Sequence, residues 1–519
     1  MRSTFMGLET SKRGLFTQQS GLYTTGHNIS NANTLGYTRQ RVNMQATAGF
    51  PGVGLNTPTM PGFLGTGVEA GSIQRIRDSF VDQQFRQESN KLGYWESRTN
   101  AISQMEDVLA EPSAYGLQQS LSDFWQSLQT LASNPENGGA RAVTVERGVA
   151  VADSFKYIHK SLSEIQTNLG KEIGVSTKNI NSILKQIGEL NKQIAEVEPN
   201  GYLPNDLYDA RDNLLDELAT YVPIEVSYEK SGGRALAIAE GSVTVKIKTN
   251  DTANPFITVV KKDSFSELKP VGKDGTDAEG NPQGPMTSFS ITGGPAEVNT
   301  IDINNLQNAG SLKSLSDSYG YIDSNGATKG LYPDMFEKLN RMAKEFADAF
   351  NKAHQEGTDL NGDKGEDFFV SKDGQPIDAS NIGINSEIEK DPNKVAASSS
   401  DPTNPAQPEV GNGANAKKLG DVLFDKLPGL DGSSVQTFYS GVIGELGVQG
   451  EQALKMAKNS ITLLGAVLDR RDSISSVSLD EEMTNMIKFQ QAYNASARMV
   501  TVVDETLDKI INGMGVAGR

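Results

Sequence analysis

The sequence predicts a multidomain α+β protein: a long helical bundle or coiled coil formed by the N- and C-terminal segments, with a β-rich inserted domain between them. Three observations carry that expectation. Apolar residues recur at helical spacing at both ends of the chain, the same spacing fills a long central stretch, and between 223 and 304 it gives way to short β-type runs. At 519 residues the chain has ample length for more than one core.

The first helix is read from Leu8, Leu15, Leu22 and Ile29, which return every seventh position, with Phe16 and Tyr23 widening the stripe. Gly14, Gly21 and Gly26 each lower its intrinsic stability by up to about 1 kcal/mol relative to alanine, so it is marginal alone. The stretch GHNISNANTLGYTRQR, Gly26 to Arg41, comes next. Its amides and Gly36 suit a helix end, where carbonyls need partners and left-handed backbone is tolerated. Another seam runs Val81, Phe85, Glu88, Leu92, Trp95, Thr99, Ile102, Glu106 and Leu109, with Pro112 as its stop, and a helix from about Tyr115 to Ala132 follows.

SNPENGG, Ser133 to Gly139, reads as a turn. A long helix then carries Phe155, Ile158, Leu162, Ile165, Leu169 and Ile173, slips phase near Gly174, and resumes at Ile180, Ile183, Ile187, Leu190, Ile194 and Val197. NDLYDARDNLLDELATYVP is a further helix, capped by Asn205 or Asp206 and stopped by Pro223. IEVSY, ALAIA, SVTVKIK, PFITVV and FSITGG read as strands. Helical spacing returns from Leu331 to His354, and a Gly/Asn/Asp/Pro-rich stretch from about Gly357 to Ala416 reads as loops with little core of its own.

The chain closes on a 3-4 seam at Leu479, Met483, Met486, Gln490, Tyr493, Ala497, Val500, Asp504, Leu507, Ile511 and Met514. The expected division is therefore a terminal coiled-coil domain (1–41 and 480–519) that is disordered in the monomer, and a mainly helical domain (42–222, 305–356 and 431–479). A β-rich inserted domain (223–304) and a loop-rich insertion (357–430) complete it. Terminal helices with apolar seams bury too little surface alone and need neighbours.

Composition narrows the function. A formal charge of -17 disfavours nucleic acid and anionic lipid as partners. Cysteine is absent, which removes disulfides, thiolate nucleophiles and cysteine-based metal sites. No apolar run reaches the length of a membrane span. The N-terminus lacks the compact apolar core of a secretory signal; residues 1–41 are basic and rich in Ser and Thr, which leaves a transit peptide as a competing reading.

The only imidazoles, His27, His159 and His354, stand far apart in sequence and outside any ligand spacing, and neither a Walker loop nor a GxSxG elbow is present. No catalytic, cofactor or metal residues are assigned. In DLNGDKGEDFF, Asp359, Asn361 and Asp363 match the first three positions of a calcium loop, but Lys364 holds the position that needs glycine and no glutamate stands at the twelfth. A turn explains those residues without an ion.

TTGHNISNANTLGYTRQR after an amphipathic helix closely resembles the N-terminal signature of bacterial flagellar rod, hook and hook-associated proteins, and FQQAYNASARMVTVVDETLDKIING is similar to their C-terminal signature. FWQSLQTLASNPENGGARAVTVERG and NDLYDARDNLLDELA narrow the resemblance to the hook-associated protein 1 (FlgK) family of hook-filament junction proteins. Leu35 stands where proline is frequent in the motif. The N-terminal family motif is then Asn28, Asn31, Asn33, Gly36 and Tyr37, and the assembly interface is expected at Leu8, Leu15, Leu22, Ile29, Met483, Met486, Tyr493, Val500, Leu507 and Ile511.

The resemblance implies a structural protein rather than an enzyme, a subunit of a ring or helical layer at the distal end of the hook. Implied partners are further copies of itself, the hook protein, a second hook-associated junction protein, and a cytoplasmic export chaperone on the C-terminal helix. It implies type III export to the extracellular flagellum without a cleaved signal peptide. Competing readings are a calcium-binding adhesin and a surface-modifying wall hydrolase.

Overall fold

A computed structural model describes residues 5–50, 62, 64–109, 116–399 and 409–513. The expected stop at Pro112 and the last seam position, Met514, lie outside the described residues.

The chain opens with α1 (Met6–Ser30) and an antiparallel ribbon of β1 (Gln40–Ala46) and β2 (Val68–Arg75). Sequence periodicity did not point to this ribbon: its apolar residues are few, Val42 and Met44 of β1 and Val68 and Ile73 of β2 among them, and both strands are exposed over much of their length. Helices α2 (Ser79–Leu109), α3 (Leu117–Ser133), α4 (Gly138–Val197) and α5 (Asn205–Tyr221) follow. Asn137 caps α4, its side chain accepting from the amides of Gly139 and Ala140. At 60 residues α4 spans about 90 Å.

The phase slip in α4 does not break the helix. Gly174 lies under the Asp277–Gln283 turn, where a β-carbon would come within 2.2 Å of the Asn281 amide oxygen, so the slip brings a small residue beneath a neighbour. α5 starts after Pro204 with no side-chain cap. Asn205, expected as a cap, instead donates to Ile73 O at 3.0 Å and Gln40 Oε1 at 3.1 Å.

A four-stranded antiparallel sheet comes next, β3 (Ile224–Glu229), β4 (Ser242–Lys248), β5 (Phe256–Lys261) and β6 (Ser264–Phe265), in chain order. Strands β7 (Glu267–Gly272), β8 (Met286–Thr292) and β9 (Thr300–Asp302) begin a second sheet, which β10 (Tyr321–Ile322) and β11 (Thr328–Lys329) complete after α6 (Ser311–Tyr319). ALAIA is not a strand. Gly232 and Gly233 take left-handed backbone and Ala235–Ala239 turn back on themselves, delivering Glu240 to two arginines.

Helix α7 (Leu331–Gln355) leads into the hairpin β12 (Phe369–Ser371) and β13 (Ile382–Ile384), then α8 (Ser386–Lys390) and α9 (Ala414–Asp421). This polar stretch has more core than its composition suggested. Phe368, Phe369, Ile382, Ile384, Ile388, Val395 and Leu419 are all buried, and Phe369 stacks 5.1 Å from Phe346 of α7. The clamp is Arg141 of α4, fully buried, which donates to Pro135 O at 2.7 Å, Asn393 O at 3.1 Å and Val395 O at 2.6 Å. α10 (Val435–Ser475) then runs along α2, and α11 (Leu479–Asp508) returns along α1, ending in a π turn at Lys509–Gly513.

Candidate functional site

The terminal helices pair antiparallel, and their closest approach is a ladder of seven-residue steps. Gly7 faces Val503, Gly14 faces Ser496, Gly21 faces Phe489, and Asn28 meets Glu482. A β-carbon on Gly21 would sit 3.1 Å from three atoms of the Phe489 ring, and one on Gly14 would sit 3.1 Å from Ser496 Oγ. Glycine at these positions lets the two backbones approach, so residues that weaken α1 in isolation serve the pair.

The expected interface residues flank this ladder. Leu8, Leu15, Leu22 and Ile29, one residue beyond each rung, are half-buried, as are Met486, Tyr493 and Val500; Leu507 is buried. Met483 and Ile511 point outward at 55% and 69% exposure. They join Phe16 and Tyr23 of α1 and Leu479, Ile487, Met499 and Val502 of α11 as exposed apolar side chains. A single chain thus leaves a large apolar surface on its terminal helices uncovered.

At the inner end of the ladder, Asn28 is 1% exposed and makes four hydrogen bonds. Its Nδ2 donates to Gln40 O at 2.8 Å and Glu482 Oε2 at 3.2 Å; its Oδ1 accepts from Gln40 N at 3.0 Å and from the Tyr37 hydroxyl at 2.8 Å. His27 Nδ1 lies 2.9 Å from that hydroxyl, and burial together with Asp209, Asp206 and Glu482 pushes the Tyr37 phenol well above its ordinary range. Asn31 closes α1, its side chain donating to His27 O at 3.0 Å, while Asn33 stays exposed. Gly36 has φ +76° and leaves no room for a side chain: a β-carbon there would lie 2.0 Å from the Asn213 amide of α5. Leu35 is 96% exposed, so the motif tolerates a residue other than proline there.

The motif is docked on the body through charge. Thr38 N donates to Asp209 Oδ2 at 3.1 Å and Arg39 N to Ser475 O at 2.9 Å. Arg39 Nε reaches Glu482 Oε1 at 2.8 Å, and its Nη1 reaches Glu481 Oε2 at 2.6 Å. Beneath lies a buried knot centred on Asp212, which pairs with Arg75 and Arg77 at 2.9 Å and with Arg86 at 3.3 Å. Arg75 also holds Asp209 at 2.6 Å and pairs with Glu240, and Arg471 of α10 joins Asp82 at 3.1 Å to Asp216 at 2.6 Å.

Burial alone would raise the Asp212 carboxyl, but Arg77, Arg75, Arg86 and Arg211 together hold it far below the carboxylate range. Asp209 has Arg75 as its cationic neighbour, and there burial wins and raises it. Sequence reasoning did not find the knot, because its members come from β2, the link to α2, α2 itself, α5, the turn before β4 and α10. DARDN in α5 was the one visible trace.

Other candidates are differently placed. Asp359 Oδ1 accepts from the amides of Asn361 and Asp363, both at 2.8 Å, which is an Asx turn. Among the described residues no group of three or more His, Asp or Glu could hold a metal ion, and no helix is long and apolar enough to cross a membrane.

Two family models match: the flagellar hook-associated protein FlgK helical domain over residues 102–369, and the flagellar basal body rod FlgEFG protein C-terminal over residues 471–513. The chain is 45% identical to flagellar hook-associated protein 1 of Bacillus subtilis (strain 168), over all of both chains. It is 26% identical to that of Salmonella typhimurium (strain LT2), covering 96% of this chain and 98% of the relative, and 26% identical to that of Escherichia coli (strain K12), covering 97% and 99%. The solved structure of the flagellar hook junction protein FlgK from Burkholderia pseudomallei aligns with a TM-score of 0.58 at 12% identity, over 76% of this chain and all of that one, a likeness of fold. The ladder of terminal helices, the docked asparagine motif and the helical body therefore belong to a structural, extracellular component of the bacterial flagellum, and the chain is a member of the flagellar hook-associated protein 1 family.

Proposed function

We propose that the chain forms the junction layer between hook and filament, polymerising at the distal end of the hook through terminal helices that complete their folding on assembly. The observation that carries this reading is the uncovered apolar surface of α1 and α11, where Phe16, Tyr23, Met483, Ile487 and Met499 all stand more than half exposed on a pair of marginal helices. Neighbouring subunits would cover that surface and stabilise the pair by mass action. In this reading the subunit keeps its four parts: the terminal pair, a mainly helical body, a β-rich insertion whose second sheet runs on to Lys329, and the 357–430 insertion packed on α4 and α7.

In this reading the partners are further copies of the chain, the hook protein on one side and a second hook-associated protein on the other. An export chaperone covers the apolar face of α11 in the cytoplasm, and the chain leaves the cell through the flagellar export apparatus without cleavage of a signal peptide. It carries no catalytic role. An epitope inserted in the exposed turn at Asn325–Gly326 tests the placement by immunogold labelling of isolated flagella. Label at the hook–filament boundary supports the junction reading; label along the filament or at the cell surface sinks it.

A further inference from the structure

The four rungs of the ladder are unequal. Asn28 and Glu482 are 1% and 2% exposed, Gly21 is buried against half-buried Phe489, Gly14 and Ser496 are both half-buried, and Gly7 is exposed beside half-buried Val503. Burial of the rung residues falls with distance from the body, although Leu507 beyond the last rung is buried. The chemistry changes in the same direction: the first rung holds hydrogen bonds and the Arg39–Glu482 ion pair, whereas the β-carbon spaces at Gly14, Gly21 and Gly7 meet only side-chain atoms at 3.1–3.9 Å.

Helix-end signals show the same asymmetry. At the inner end Ser478 caps α11, its side chain accepting from the Glu481 amide, with Asp480, Glu481 and Glu482 in the first turn where the helix dipole favours negative charge. There too α1 closes on Asn31. At the outer end α1 begins at Met6 with no side-chain cap among the described residues, and α11 has no basic residue in its last turn, Lys509 opening the π turn that follows.

We propose that the terminal pair folds directionally, from the Asn28–Glu482 rung outward to Gly7–Val503, with the charge knot under α5 holding the first rung in place before a neighbouring subunit arrives. The inference rests on the reading that the pair completes its folding on assembly, and it adds where folding starts. Helix formation is limited by its nucleus, and a rung already fixed by Thr38–Asp209 and Gln40–Asn205 supplies that nucleus, so each further heptad only extends it. The free subunit then carries a short folded stub whose direction the body sets, and a neighbour stabilises its growth outward.

Hydrogen exchange of the full-length chain in dilute solution tests this. Amides of 24–40 and 479–489 should exchange at least about tenfold more slowly than those of 6–13 and 497–508, in a continuous gradient. Asn28→Ala, which removes the hub of the first rung, should speed exchange at 24–40 and 479–489 by about tenfold or more while α4 and α7 keep their protection. Val503→Ala should leave the inner segments unchanged. Inner segments exchanging as fast as the outer ones, or unaffected by Asn28→Ala, would overturn the proposed order alone. Uniform strong protection over both helices in the dilute chain would instead overturn folding on assembly, and the order with it.

Discussion

Replacing Gly21 with valine puts the ladder to its sharpest energetic test, because the two levels of structure predict opposite signs. In an isolated helix the change is favourable by a few tenths of a kcal/mol, about the difference between glycine and valine propensities. In the ladder the new β-carbon alone falls 3.1 Å from Phe489 Cδ1, Cδ2 and Cγ, before either methyl group is counted. Relieving that overlap requires the ring to leave its rotamer or the helices to separate, and such overpacking costs about 1–3 kcal/mol. The net effect on the pair is a loss of roughly 1–2 kcal/mol, about fivefold to thirtyfold in the paired population. Gly26→Ala is the control: nothing lies within 4 Å of its β-carbon space, so helix propensity alone applies and α1 gains up to about 1 kcal/mol. Both variants are expressed in a strain without the chromosomal copy, with secreted amounts matched, and attached filaments and swimming speed are measured. The account expects Gly21→Val to lose filaments and Gly26→Ala to keep them. Equal filament numbers in the two strains would refute the ladder as the contact that matters.

His354 should make the body acid-sensitive. Burial lowers its pKa to about 4, outweighing the Glu366 carbonyl and Asp367; its Nδ1–H donates to Glu366 O at 2.5 Å and its Nε2 accepts from Ala396 N at 2.9 Å, which fixes the neutral ring. Since the folded pKa lies below the unfolded one, this stability is complete above pH 6.5 and is lost as pH falls from there toward 4, to about 3 kcal/mol in all. Urea midpoints between pH 7 and 4.5 should fall more steeply for the wild type than for His354→Gln; identical slopes would contradict the assignment. Arg141→Ala leaves the carbonyls of Pro135, Asn393 and Val395 without their donor and should cost about 2–4 kcal/mol, read as a shifted unfolding midpoint with early proteolysis between 357 and 430. Gly36→Ala meets both a left-handed backbone and the Asn213 amide, so filament attachment should fall while the thermal midpoint of the body moves little.

How much was legible in the sequence follows from range. The helices were readable because their apolar spacing is local: Phe155 to Val197 keeps its period on either side of the slip at Gly174, and Val81 to Leu109 outlines α2. The terminal seam was read one residue away from its centre. Leu8, Leu15, Leu22 and Ile29 are the larger side chains, but the tight contacts with α11 fall at Gly7, Gly14, Gly21 and Asn28, of which Gly14 and Gly21 count in the sequence reading only as a weakness of α1. ALAIA has the composition of a strand, yet Glu240 is drawn to Arg75 and Arg211 and the preceding residues turn to deliver it. The core of 357–430 shows no sustained period because its buried residues come in ones, twos and threes from short elements, such as Phe368–Phe369, Val395–Ala397 and Val422–Leu423. The Asp212 knot gathers residues more than a hundred positions apart, such as Arg75 with Asp212, and no local pattern announces it.

The most direct test of the account removes the terminal helices while leaving their joint intact. Deleting residues 1–27 and 483–519 keeps Asn28, Gln40, Arg39 and Glu482 with the Asp212 knot, and takes away the outer three rungs with the exposed apolar surface. Expressed in a strain lacking the full chain, the shortened chain should purify folded, with the cooperative unfolding of the body preserved, and cells should assemble hooks without attached filaments. Normal filaments on cells carrying only the shortened chain would contradict assembly through the terminal pair.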